Sequence, residues 1–221
     1  MHTHRRTWNG LMAGVGLSLL VGCSTMGSTH DKGFTYTDIP ITYETAYPGE
    51  GNHILFRNTE LPLSGEGIQV GDVLRSAQVT KSDLSLSTLT GPNNRIRIIN
   101  IVPSLDTKVC EQQTHYLSEK NHGLDQQVSL ITISVDTPFA QTRFAEEANI
   151  DNVTFLSDYR GGEFGKTHGL LLEGPHVLAR AVMVVDQHNV LRYMQVTPDL
   201  GKLPDMEAAF QEARRLLNTQ S

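Results

Sequence analysis

Two periods of apolar spacing share the chain from residue 52 to its end. Short apolar runs bounded by turn residues read as strands, and apolar positions spaced three and four apart read as helices. "HILFRNTELPLSG" (53–65) predicts a hairpin, and "LSLSTLTG" (84–91) a short strand or turn. "RIRIINIV" (95–102) predicts a strand whose apolar end enters the core, and "VCEQQTHYLSEK" (109–120) an amphipathic helix closed by "NHG". "QVSLITISVD" (127–136) reads as a buried strand, and "PFAQTRFAEEA" (138–148) as a helix opened by Pro138 after Asp136 and Thr137. "VTFLSD" (153–158) predicts a strand, "GGEFGKTHG" (161–169) a Gly161–Gly162 turn into a short helix, and "ARAVMVVDQHNVLRYMQV" (179–196) two strands joined by a polar turn. "PDMEAAFQEARRLLN" (204–218) closes the chain as a helix with Phe210 and Leu216 on one face. This order predicts an α/β domain: a mixed sheet flanked by helices, with an N-terminal β-hairpin.

Ahead of residue 52 neither period is sustained. His2, His4, Arg5 and Arg6 make a basic start, and a thirteen-residue apolar run (10–22) follows. The run is too short to span a bilayer comfortably, but suits the core of an export signal. It ends in Leu20-Val21-Gly22-Cys23, which resembles the bacterial lipobox. That resemblance implies a signal peptide of residues 1–22, cleavage before Cys23, and lipid on its sulfur and new amino group. The competing reading is an ordinary cleaved signal or an uncleaved anchor with a chance cysteine. Ser24, rather than an acidic residue, follows the cysteine. By resemblance to lipoprotein sorting in Gram-negative cells, this points to the outer membrane with the domain facing the periplasm. A soluble periplasmic protein is the alternative. Residues 23–51, rich in Ser, Thr, Gly and Tyr, read as the lipidated cysteine and a tether able to rest partly on the domain of residues 52–221.

Composition narrows the function classes. Hydrophobic residues make up 38% and charged residues 19%, an ordinary globular balance. A net charge of -6 without a basic stripe argues against a nucleic-acid partner. The pairs Arg95/Arg97 and Arg214/Arg215 read as solvated positions. Nine histidines are scattered, and His115 and His122 lie seven apart. That is no ligand spacing, so neither a metal nor another cofactor is expected.

Only two cysteines occur, Cys23 and Cys110. Pro103 cannot continue the strand ladder, so it turns the chain out of "RIRIINIV". Asp106 and Thr107 are good N-cap residues, which puts Cys110 in the first turn of the next helix. There the free amide hydrogens and the helix dipole favour negative charge on the sulfur, and the thiolate is the nucleophilic form. The hydroxyl of Thr107, three residues earlier, can lie beside the sulfur.

Pro103-x-x-x-Thr107-x-x-Cys110 resembles the active-site motif of the peroxiredoxins. With "SVDTPFAQTRF" downstream and "ARAVMVVD" later, the domain is most similar to the thiol peroxidase branch of that family. The resemblance implies a thioredoxin-like fold and a hydroperoxide substrate. It implies that Cys110 attacks the peroxide, that Thr107 hydrogen-bonds peroxide and sulfur, and that Pro103 shields the pocket. It further implies that Arg180 stabilises the thiolate and orients the peroxide, and that two chains form a homodimer. An arginine suits that role, being always charged and forked in its donors. One expected feature is missing: a resolving cysteine in the strand before "PFAQ", where Thr132 stands. The chain is therefore expected to work with one cysteine, its sulfenic acid reduced by an external thiol or thioredoxin-like protein. A lipid-anchored, thioredoxin-fold binding or sensing module that lost turnover is the competing reading.

Overall fold

The structure is a computed structural model that describes residues 33–90 and 95–219; the leader and Cys23 lie outside the described residues. The hairpin forms from β1 (His53–Phe56) and β2 (Thr59–Ser64), turned by Arg57 and Asn58, both at positive φ. Two short strands, β3 (Gln78–Thr80) and β4 (Leu86–Thr88), pair next. β5 (Arg97–Ile101) leads into α1 (Lys108–Glu119), and β6 (Ser129–Ser134) into α2 (Pro138–Glu147). β7 (Val153–Ser157) precedes α3 (Glu163–His168), whose N-cap is Gly162 at φ 69° in the expected glycine turn. β8 (Leu171–Leu172), β9 (Val177–Leu178), β10 (Ala181–Val185), β11 (Leu191–Val196) and α4 (Met206–Asn218) complete the order.

Among the described residues, seven strands form one sheet in the order β11-β10-β5-β6-β7-β3-β4, and β1-β2-β8-β9 form a smaller one. The three central strands β5, β6 and β7 run parallel, and the outer pairs are antiparallel. α1, α2 and α4 pack on one face of the sheet and α3 with the smaller sheet on the other, so all five residues of β5 and of β10 are buried. Ile99, Ile101, Ile131 and Met183 join a core with Phe164 and the hairpin side of the domain. Ile98, Leu130, Val182 and Val184 point the other way, against Leu117, Phe210, Ala213 and Leu216. Asn100 shares the second face with Ile98, because strand side chains alternate.

Two sequence readings change. Residues 34–48, read as part of a tether able to rest on the domain, lie along it as a strap. Thr42 N–H donates to Leu203 O at 2.9 Å, Leu203 N–H to Pro40 O at 2.8 Å, and Ala46 N–H to Val196 O at 2.8 Å. Gln195 Nε2 adds bonds to the carbonyls of Thr42 and Glu44. β11 is an edge strand, and the strap satisfies backbone groups that an edge leaves open. Such contacts run mostly through the backbone, so they leave no hydrophobic period to read. The second change is Arg97, which is wholly buried rather than solvated. Its guanidinium donates to the carbonyls of Leu89 and Asp186 and to Asn189 Oδ1, and it is this set of acceptors that makes burial of the charge tolerable. Arg95 and Arg215 lie at the surface as expected.

Candidate active site

β5 ends at Ile101, and Pro103 lies two residues beyond it, in the turn that carries the chain out of the sheet. Residues 102–107 then lead into α1, whose N-cap is Thr107. The first bond within the helix runs from Glu111 N–H to Thr107 O. Cys110, one residue earlier, therefore sits in the turn whose amide hydrogens precede the helical ladder. Its side chain is buried among Val102 and Leu105, with Phe144 of α2 and Phe155 of β7 packed against them. Thr107 occupies the cap position but makes no side-chain cap bond. Its hydroxyl instead donates to Ser104 O at 3.1 Å, so what it has left to offer is acceptance of another group's proton.

Arg180, immediately before β10, reaches the sulfur from the other side: Nη2 donates to Cys110 Sγ at 3.4 Å. Only 2% of Arg180 is exposed, and each of its three nitrogens donates to a protein acceptor. Nε and Nη2 donate to Leu200 O at 3.1 and 3.0 Å, and Nη1 donates to Gln113 Oε1 at 2.7 Å. The guanidinium thus faces the sulfur from a fixed position, with its charge beside the place where negative charge would reside.

Behind Arg180 runs a buried network of uncharged polar side chains. Gln113 Nε2 donates to Asn100 Oδ1 at 2.6 Å and to Ala181 O at 3.2 Å. Asn100 Nδ2 donates to Thr114 Oγ1 at 3.2 Å and to Thr132 Oγ1 at 3.1 Å. Thr114 Oγ1 donates to Cys110 O at 2.8 Å, which closes a ring from the sulfur back to its own carbonyl. Of the residues that sequence reasoning named, Arg180 meets the Cys110 sulfur, Thr107 caps the helix that carries it, and Pro103 lies in the loop before that cap; sequence reasoning did not single out Gln113, Asn100 or Thr114. The available signal was an unusual one, two adjacent glutamines and a threonine on a helix whose buried face should be apolar.

Thr132, read from the resemblance as standing where a resolving thiol would be, lies in β6. It is wholly buried in the middle of the sheet, paired with Asn100 on one side and Phe155 on the other. A sulfur there would take from Asn100 Nδ2 one of its two hydroxyl acceptors. The element that packs toward Cys110 from outside the sheet is α2, through Phe144.

The outer side of α1 carries the strap. Phe34 stacks on His115 with ring centroids 3.9 Å apart, and Tyr36 OH donates to Glu119 Oε2 at 2.9 Å. Burial, followed by the bond to Glu207, pushes the Tyr116 hydroxyl up to about 12, so it stays a neutral donor. At the end of β7, burial raises Asp158 to about 6, against the opposing pull of the Gly165 and Phe164 amide hydrogens it accepts.

A thioredoxin-like sheet that presents one cysteine, without a second in Cys-x-x-Cys spacing, from a helix entered through a proline-containing loop and set against an arginine defines a peroxiredoxin. The chain belongs to the Redoxin family, whose model matches residues 69–210. Within it the chain falls in the thiol peroxidase branch. It is 36% identical over 163 residues to the thiol peroxidase of Streptococcus pneumoniae (strain ATCC BAA-255 / R6), covering 74% of this chain and 99% of that one. With the thiol peroxidase of Halalkalibacterium halodurans it shares 37% identity over 164 residues, 74% of this chain and 98% of the relative. Among solved structures, a peroxiredoxin-like protein from Aquifex aeolicus superposes with a TM-score of 0.69 at 32% identity, covering 74% of this chain and 96% of that one. The thiol peroxidase from Chromobacterium violaceum shares the fold, with a TM-score of 0.65 at 22% identity and coverage of 76% and 98%.

Proposed function

We propose that this chain reduces hydroperoxides at Cys110 as a one-cysteine thiol peroxidase held in the cell envelope by lipid on Cys23. The observation that carries the chemistry is the 3.4 Å contact from Arg180 to the sulfur, made by a guanidinium that Leu200 O and Gln113 Oε1 hold in place. The Cys110 thiolate attacks the terminal oxygen of the peroxide; an S–O bond forms and the O–O bond breaks. The alkoxide or hydroxide that leaves takes up a proton, giving alcohol or water and a sulfenic acid on Cys110. Arg180 stabilises charge that moves from sulfur to the leaving oxygen, Thr107 accepts the peroxide's O–H, and Pro103 limits water at the loop. An external thiol then displaces water from the sulfenic acid, and a second thiol frees Cys110 from the mixed disulfide. The absence of any other cysteine beyond Cys23 supports an external reductant.

The test is peroxide consumption by a chain beginning at Ser24, supplied with a generic dithiol. One equivalent of peroxide should leave a sulfenic acid on Cys110 that a dimedone-type reagent traps, and Cys110→Ser should abolish consumption. Retained activity in that variant would sink the mechanism. Failure of both consumption and trapping in the unaltered chain would favour the binding-module reading. For the envelope, the leader and Leu-Val-Gly-Cys order support an outer-membrane lipoprotein facing the periplasm. Cys23→Ala should release the protein from the membrane fraction and end palmitate labelling; an unlabelled native protein would indicate a soluble periplasmic form. Pairing of two chains is the assembly the family likeness supports, and light scattering of the purified domain measures it.

A further inference from the structure

We propose that Asp136 is a positioning residue for the peroxide step, acting through Ser104 on the hydroxyl of Thr107; the assignment rests on the peroxidase reading above. In the sequence Asp136 is simply the start of a helix, and the cap of α2 is in fact Thr137. The Asp136 carboxylate turns instead toward the loop that carries the site. Oδ1 accepts the Ser104 hydroxyl at 2.7 Å, and Oδ2 accepts Leu105 N–H at 2.7 Å. Both bonds are short and charge-assisted, and together they hold two consecutive residues of the loop. Ser104 passes the constraint on in two ways: its Oγ accepts Asp106 N–H at 3.3 Å, and its carbonyl accepts the Thr107 hydroxyl at 3.1 Å.

That last bond decides what Thr107 can do. A hydroxyl has one proton, and this one is committed to Ser104 O, so lone pairs are left for the peroxide's O–H. The direction of those lone pairs follows the Ser104 carbonyl, and the carbonyl follows the carboxylate. Asp136 is itself anchored from the sheet: its N–H donates to Ser134 Oγ at 3.3 Å, and the Ser157 hydroxyl donates to its carbonyl. The ends of β6 and β7 thereby set the orientation of a group on the far side of the loop. No helix dipole or charge near the sulfur is needed for this effect.

Asp136→Asn leaves one carboxamide oxygen for two donors and turns an NH2 toward the other. The second-order constant for peroxide should fall about tenfold, as expected when a reacting group is misplaced by a fraction of an ångström. Thr107→Val should lower it on its own, and the double variant should be no slower than Thr107→Val alone. Alkylation of Cys110 by iodoacetamide needs the sulfur but no acceptor for an O–H, so its rate should not fall. Multiplied losses in the double variant, or equal losses in alkylation and peroxide reaction, would overturn the assignment. If Asp136→Asn does not fold, Ser104→Ala replaces it in the same cycle, with the same two outcomes. The constants are measured on the full chain. An unaltered protein that consumes no peroxide overturns the peroxidase reading and this assignment with it; additivity in an active protein overturns this assignment alone.

Discussion

Gln112 and Gln113 are neighbours on α1, are both buried, and each make three hydrogen bonds, yet they serve opposite sides of the helix. Gln113 turns inward, accepting from Arg180 and donating to Asn100 and Ala181. Gln112 turns to the strap: its Oε1 accepts Thr37 N–H at 2.8 Å and the Thr37 hydroxyl at 3.0 Å, and its Nε2 donates to Thr37 O at 3.0 Å. The same amide is therefore spent on two tasks. One side fixes the charge that faces Cys110. The other fastens a segment of chain to the helix that carries it. Partners, not the side chain, determine the role.

Gln113→Ala should break the comparison most strongly. It strands Arg180 Nη1 and Asn100 Oδ1 in the interior, at a cost of about 1–3 kcal/mol for a buried group left without a partner. Urea unfolding should report that loss, and stopped-flow measurements should show the peroxide constant lowered about tenfold or more through misplacement of Arg180. Thr132→Val comes next. It removes one acceptor of Asn100, two bonds away from Arg180, so stability should fall by about 1 kcal/mol and the rate by less than in Gln113→Ala. A rate equal to that of Gln113→Ala would mean that the ring acts as one unit. Gln112→Ala should cost about 1 kcal/mol of net hydrogen bonding, with the peroxide constant within about twofold of the unaltered protein. Its signature is faster limited proteolysis in residues 34–46. A tenfold rate loss there would erase the distinction between the two glutamines. Phe34→Ala is the mildest: losing the stack on His115 should cost about 0.5–1.5 kcal/mol beyond the buried area, read as a small fall in Tm with kinetics unchanged.

The strands that build the centre of the sheet were legible because "RIRIINIV", "QVSLITISVD" and "ARAVMVVD" are long apolar runs with clear stops. β3, β8 and β9 were missed because two or three residues carry no period. Cys110 and Thr107 were readable from local chemistry, a proline leading out of a strand and a cap into a helix. Arg180 was not: its alternation with Ala179 and Ala181 leaves the face open, and the family likeness supplied it. Polar residues that work in the interior misled in one direction only. Arg97 and the glutamines of α1 look solvated in the sequence, because their acceptors come from elements far away in the chain. Asp136 looks like a helix start because its two donors lie about thirty residues earlier.

Cys110 has no accessible surface at all, and this sorts the molecules that need its sulfur by size. On the proposed one-cysteine reading, a peroxide is to reach the sulfur through side-chain shifts alone, and a protein thiol only when the first turn of α1 (Lys108–Glu119) opens. Binding of such a reductant is discounted by the open fraction: if one molecule in a hundred is open, its apparent Kd weakens about a hundredfold. A second peroxide attacking the sulfenic acid suffers no such discount. On that reading the helix turn over the sulfur is a kinetic partition, and the ratio of over-oxidised to recycled protein, followed against reductant concentration, should report its opening equilibrium.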